Sequence, residues 1–197
     1  MTSELLRSFP ESFETERLLI RAASPDDAEQ ANAAVIESRA ELVPWISWAE
    51  KELDLDAVRE SLVRARARFM LREDLRFHLF LRAEPATFIG SIGLHRMDWK
   101  VPRLEIGYWL RTAYSGQGYA TEAVRGITDF AFRELDAERL EIWCDARNER
   151  SAAVARRAGF KQEAMLRNYD RDTAGQLSDA LWFGLLREDW KALARQS

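Results

Sequence analysis

The segment Tyr114-Ser115-Gly116-Gln117-Gly118-Tyr119-Ala120-Thr121 is the part of the chain best built to hold an anion. Two glycines let the backbone turn tightly and approach a ligand closely. Apolar residues then recur at Ala120, Ala123, Val124, Ile127, Phe130, Ala131 and Leu135, with the spacing of one helical stripe. The first N–H groups of such a helix have no partner within it, and its dipole places partial positive charge there. A phosphate or pyrophosphate is the natural occupant. A plain turn ahead of a helix fits the same residues. Two familiar phosphate motifs are absent: the dinucleotide fingerprint needs glycine where Thr121 stands, and no Gly-Lys-Ser/Thr occurs.

Other reactive residue types are sparse. Asn148 opens a short helix that stops at Gly159, so it is a good N-cap, and Gly159 suits a left-handed helix end. The one cysteine, Cys144, lies in the strand-like run Leu140-Glu141-Ile142-Trp143-Cys144. It has no disulfide partner and no cysteine–histidine cluster to hold zinc, so it reads as a packed thiol, and no metal is expected. His78 and His95 have no serine or cysteine motif nearby and read as ordinary hydrogen-bonded residues.

The elements that position these residues alternate in type. Arg17-Leu18-Leu19-Ile20-Arg21 is a short strand, and Ser24-Pro25-Asp26-Asp27 is a strong helix start with cap, proline and two acids. Ala28, Ala31 and Val35 continue that helix, and a second covers about 54–73 with Leu55, Val58, Leu62, Ala65 and Phe69 on one face. Between them Trp45 and Trp48 flank a proline-led break, and core packing accounts for at least one of them. Runs at 77–81, 88–94 and 104–110 read as three successive strands. The glycine loop and its helix come next, followed by a strand at 140–144, the helix from Asn148 and strands from Phe160 to Leu186. The order predicts a mixed α/β (α+β) chain with a largely antiparallel sheet of about six to seven strands flanked by helices.

With 197 residues, 47% hydrophobic and no linker between halves, the chain fits one domain over 1–197, its core at about 13–190. A net charge of −4 argues against a nucleic-acid binder. The opening Met1-Thr2-Ser3-Glu4-Leu5-Leu6-Arg7 resembles no signal peptide and no long apolar run predicts a membrane span, which points to the cytoplasm. Monomer and homodimer both remain open.

The run Glu105-Ile106-Gly107-Tyr108-Trp109-Leu110 followed by Ser115-Gly116-Gln117-Gly118-Tyr119-Ala120 resembles the acetyl-CoA-binding core of the GNAT superfamily, Gln/Arg-x-x-Gly-x-Gly/Ala. Ser115 departs from that pattern. Asn148-Glu149-Arg150-Ser151 with Ala158-Gly159-Phe160 is similar to a second family segment, and the tail from Leu166 to Trp182 resembles the RimJ/RimL-type branch of ribosomal-protein N-terminal acetyltransferases. The resemblance implies the GNAT fold and acetyl-CoA as co-substrate. It implies a cofactor site made of Tyr108, Trp109 and Leu110 on a splayed strand, Ser115, Gly116, Gln117, Gly118, Tyr119, Ala120 and Thr121 at the pyrophosphate, and Asn148 on the pantetheine arm. Arg156 could reach a phosphate, with a solvated arginine as the alternative.

The resemblance also implies Glu105 as base and Ser151 as acid, because the tyrosine that many members use as acid is Ala155 here. The alternatives are an acid at 105 paired with Arg103 or Arg96, and a serine at 151 that merely suits a first helical turn. The implied acceptor is a protein N-terminal α-amine, and the resemblance implies that the loop of Trp45 and Trp48 borders its site. A small amine such as a polyamine or aminoglycoside is the second reading, and an inactive acetyl-CoA-binding module the third.

Overall fold

The connection through a long helix dictates the one parallel strand pairing among the described residues. The computed structural model describes residues 4–51 and 54–195. Its strands are β1 (Ser12–Glu14), β2 (Leu18–Ala22), β3 (Leu75–Leu81), β4 (Glu84–Asp98), β5 (Arg103–Leu110), β6 (Arg139–Asp145), β7 (Lys161–Arg171) and β8 (Leu177–Leu186). They form one sheet in the order β1-β2-β3-β4-β5-β6-β8-β7. Neighbours are antiparallel, by short turns at β1–β2, β3–β4, β4–β5 and β7–β8 and by longer connections at β2–β3 and β6–β8, except that β5 and β6 run parallel because α3 (Tyr119–Glu134) joins them as a crossover.

The expected mixed, largely antiparallel sheet is therefore present, with one strand more than expected. β1 has only Phe13 half-buried between exposed Ser12 and Glu14, too little alternation to read from sequence. The last strand starts at Leu177, ahead of Leu181, and a further helix, α5 (Arg187–Ala194), follows it.

One face of the sheet carries α3 and α4 (Glu149–Arg157). A helix such as the 16-residue α3 takes most of its stability from packing of its apolar face. Here Val124, Ile127, Phe130 and Ala131 join Leu75, Phe77, Ile92, Leu94, Ile106 and Leu140 in one buried cluster. At about 1.5–3 kcal/mol per buried Val, Ile or Phe, this stripe outweighs α3's intrinsic propensity. On the other face, α1 (Ala28–Leu42) and α2 (Leu55–Met70) bury Ala28, Ala31, Ala34, Val58 and Leu62 with Phe80 and Phe88. Ala34 takes the inward position expected of Val35, which is half-buried beside a cleft. No helix among the described residues is long and apolar enough to cross a membrane.

The start of α1 is fixed to β3 by a buried polar cluster. Ser24 Oγ accepts from the Asp26 N–H at 3.2 Å, and Asp27 Oδ2 accepts from the Ser24 N–H at 3.0 Å, closing the cap expected from the sequence. Asp27 also accepts from His78 Nδ1 at 2.7 Å and pairs with Arg21. Burial opposes ionisation of Asp27, but the hydrogen bonds from His78, Arg21 and Ser24 outweigh it and hold the carboxyl well below the usual range. Burial pushes His78 down, so a neutral ring donates Nδ1–H to the carboxylate.

Both shifts have one consequence. Stability falls on acidification below about pH 6.5, where unfolded His78 binds a proton that the folded ring refuses. It falls further below about pH 3.9 as the unfolded Asp27 does the same. Asp27→Asn is expected to cost about 2–3 kcal/mol at pH 7 and to flatten the lower part of that acid loss, read by denaturant titration across pH. A second test concerns the β4–β5 contact. A Cβ at Gly90 would sit 2.3 Å from the Trp109 carbonyl oxygen, backbone that cannot yield cheaply. Gly90→Ala should destabilise by about 2–3 kcal/mol in the same assay.

Candidate active site

Pairing between β5 and β6 covers only Arg103↔Arg139, Leu104↔Leu140 and Glu105↔Glu141. Beyond Glu105 both strands continue, β5 held by β4 and β6 by β8, but they no longer pair with each other. A gap thus opens within the sheet, with the backbone of Ile106–Leu110 on one side and Ile142–Asp145 on the other. It is the centre of a cleft of about 1550 Å³.

At the far end of β5 the chain passes through the glycine loop into α3. Gly116 and Gly118 have φ of 75° and 86°, a left-handed conformation that costs glycine little. A Cβ at Gly116 would meet open space, so the backbone conformation is what calls for glycine there. Gly118 is the N-cap of α3 and offers no side-chain cap, and the helix's own bonding resumes with Glu122 N–H to Gly118 O. The amides of Tyr119, Ala120 and Thr121 therefore have no helical acceptor. Arg17 clamps the loop from β2, donating to Gln117 O at 3.1 Å and pairing with Glu122 at 2.6 Å. These features fit a pyrophosphate, and the sheet gap fits an extended arm.

The two faces of β5 beside the gap carry different chemistry. Glu105 accepts from Trp143 Nε1 at 3.0 Å and faces Arg96 Nη1 at 3.2 Å. Burial pushes its carboxyl up despite both partners, so the Arg96 pairing foreseen as an alternative role does not remove its basicity. Arg96 adopts φ 46° where β4 loses register with β5 after His95, and this bulge aims it at Glu105. Toward α4, the Tyr108 hydroxyl lies 2.9 Å from Ser151 Oγ. Burial pushes the phenol up to about 12, so it keeps its proton at neutral pH. Cys144 is buried and pushed up likewise, in keeping with a packed thiol. Asn148 Oδ1 caps α4 through the Ser151 N–H at 3.0 Å, leaving its amide nitrogen for the cleft.

Glu105, Tyr108, Trp109, Leu110, Ser115, Gly116, Gly118, Tyr119, Ala120, Thr121, Asn148 and Ser151 all line this one cleft. Two expected cofactor residues do not join them. Gln117 turns its amide back to Ala113 O at 2.9 Å. Arg156 points to the other side of α4, donating to Gln162 at 3.0 Å over the Phe183 ring. Its neighbour Arg157, one position and about 100° further round the helix, reaches Thr121 Oγ1 at 3.3 Å. Neither Trp45 nor Trp48 is core, contrary to expectation: they are 43% and 40% exposed on the cleft's lip, Trp48 edge-on to Trp109.

Several lining residues escaped the sequence reading. Tyr108's phenol is one. Others are Arg76 and Trp143, while His95, read as an ordinary hydrogen-bonded residue, is held at Nδ1 by Asp74 at 2.6 Å and also lines the cleft, its ring over Gly93 and Gly107. A signal existed. Arg76 and His78, Ser91, Gly93 and His95, Glu105, Gly107 and Trp109, and Glu141 and Trp143 occupy every second position of four strands. Register puts them on one shared sheet face, which marks it as something other than core.

Comparison with known proteins accords with this arrangement. Residues 17–161 match the family described as acetyltransferase (GNAT) domain. The putative ribosomal N-acetyltransferase YdaF of Bacillus subtilis (strain 168) is 30% identical over 177 residues, 89% of this chain and 94% of its own length. A putative ribosomal-protein-serine acetyltransferase from Vibrio cholerae superposes with a TM-score of 0.74 at 26% identity, over 91% of this chain and 98% of that one. The ribosomal L7/L12 α-N-protein acetyltransferase RimL, solved with coenzyme A, shares the fold with a TM-score of 0.83 at 21% identity, over 89% and 98%. The chain belongs to the GNAT N-acetyltransferases, in their RimJ/RimL-type branch.

Proposed function

We propose that this chain transfers the acetyl group of acetyl-CoA to a protein N-terminal α-amine by direct attack in a ternary complex, in the cytoplasm, with residues 13–190 acting as one catalytic domain. The observation that carries the reading is the gap beyond Glu105↔Glu141, with a raised carboxylate on one face of β5 and the Tyr108–Ser151 hydroxyl pair on the other. Acetyl-CoA, when bound, supplies an activated acetyl thioester. The amides of Tyr119–Thr121 would hold its pyrophosphate, and the freed backbone N–H groups of β5 would orient its arm and carbonyl. Asn148 would add its amide nitrogen to that arm.

Glu105 accepts the proton of the attacking amine, directly or through a water. An α-amine, with pKa about 7.7–8.0, needs far less help at neutral pH than a lysine amine near about 10.4. Ser151 gives a proton to the departing sulfur, and Tyr108, protonated and 2.9 Å away, replenishes it. The names of the relatives, ribosomal and α-N-protein acetyltransferases, support a protein N-terminus as acceptor. Of the acids that line the cleft, Asp145 and Asp172 are both bound by Arg147, at 2.7 and 3.1 Å, and so offer a polyamine little free charge.

Thiol release from acetyl-CoA against a panel of amines tests the acceptor. Peptides with free Ser, Ala or Thr N-termini should turn over, whereas an N-blocked lysine peptide, spermidine and an aminoglycoside should not. Turnover of spermidine alone would move the function to small amines. Glu105→Gln should lower kcat/KM by about a hundredfold. In the wild type, activity falls in acid as Glu105 protonates, at a pH above the ordinary carboxylate value. That limb should vanish in the variant, leaving only the ionisation of the amine. Gly118→Asp should weaken acetyl-CoA binding at least about tenfold in calorimetry, because it sets a carboxylate against the pyrophosphate site and strains a left-handed position.

A further inference from the structure

Arg76, on β3, stands in a row across the cleft floor: it pairs with Gly93, which pairs with Gly107 at the edge of the gap. Register partners point to one face, so its side chain shares the acceptor side with Glu105 and His95. It is half-buried and lines the cleft. Among the described residues its side chain makes one hydrogen bond, Nη1 to Ser61 Oγ at 3.3 Å, and no ion pair.

Arg96, Arg111 and Arg147 at the cleft's margin are matched by Glu105, by Glu37, and by Asp145 and Asp172, whereas Arg150, Arg157 and Arg171, which line it without a carboxylate partner among the described residues, are exposed to solvent; Arg76 is the half-buried one. The acid closest to Arg76 in sequence, Asp74, is already bound to His95. Burial disfavours the charged form of Arg76 more than the charge of Asp74 favours it, and the nearby Arg68 adds to the burial effect. A guanidinium has five donors in a planar fork, and leaving most of them unused in a desolvated place is costly. A carboxylate or phosphate accepts that fork in bidentate fashion and recovers the cost.

Resting on the acetyltransferase reading above, we propose that the acceptor is an amine that also carries a carboxylate or phosphate, bound by Arg76 with Ser61. The reach is suitable. Two strand spacings separate Arg76 from Gly107, about 10 Å, and an extended peptide advances about 3.3 Å per residue. An N-terminal amine at the gap thus places an acidic group two to three residues along the chain beside Arg76. A polycationic acceptor would set like charge against this guanidinium.

The test uses C-terminally amidated tripeptides that differ only at the third residue: Ser-Ala-Glu, Ser-Ala-phosphoserine and Ser-Ala-Gln. Wild type should acetylate one or both acidic peptides with kcat/KM at least about tenfold above the neutral one, and which of the two leads distinguishes carboxylate from phosphate. In Arg76→Gln the ratio should fall to about one, and Arg76→Lys should keep part of it. Unchanged acetyl-CoA affinity shows that each variant has folded. Equal rates for acidic and neutral peptides, or a preference that survives in Arg76→Gln, would overturn the proposal. If acetyl-CoA binds but no peptide is acetylated, the N-terminal acceptor reading fails. Calorimetry of the same peptides on the CoA-loaded protein then decides the anion site, which stands only if an acidic peptide binds tighter than Ser-Ala-Gln and loses that advantage in Arg76→Gln.

Discussion

A parallel pair of strands that comes apart after three residues is the constraint on which the rest of this molecule depends. β5 and β6 meet at Arg103–Glu105 and then part, giving up the ladder hydrogen bonds that a continuous sheet would make. Sheets do not separate without support, because each freed N–H and C=O needs another partner or solvent. Here β4 holds β5 and β8 holds β6, so each lip remains part of a sheet of its own. The crossover helix α3 is packed beneath by a long apolar stripe, and Arg17 ties its first turn to β2. The opening is thus a built feature of the sheet, and it brings the glycine loop, Glu105 and Ser151 to one place from three separate elements.

The electrostatics follow the same division. The carboxylate that anchors α1 is saturated: Asp27 accepts from two side chains and a backbone amide. Those at the opening are held less completely. Glu105 keeps two partners yet is driven toward its neutral form by burial, and Tyr108 is driven far toward its protonated form. Strain gathers there as well, in the left-handed backbone of Arg96 beside the carboxylate it faces. One cluster fixes a helix to a strand; the other keeps proton-accepting and proton-donating groups apart on opposite faces of β5.

Much of this was legible in the chain because the signals were local. The cap Ser24-Pro25-Asp26-Asp27, the stripe from Ala120 to Leu135 and the glycines at 116 and 118 each answer to the conformation of a few consecutive residues. What was hidden depends on register. Nothing near Tyr108 reveals that its hydroxyl will meet Ser151, since that contact joins a strand to a helix 43 residues away. Arg156 and Arg157 are chemically alike, and only the phase of α4 on the sheet decides which faces Thr121. Trp45 and Trp48 sit in a short irregular segment, where no periodicity says whether an indole turns inward. The alternating polar face of β3 to β6 lay between these cases, visible along each strand but meaningful only once the strands were aligned.

The sheet order also sets the sequence of events by which the opening can be made. β8, the last strand of the chain, inserts between β6 and β7, which both precede it. Before residues 177–186 are available, β6 has only its three-residue pairing to β5, and one lip of the gap has no backing. During synthesis, therefore, the glycine loop and Glu105 emerge long before the wall opposite them can stand. Assembly of the cleft is a late, long-range step that waits for the C-terminal strand, as expected where distant contacts must close before they stabilise.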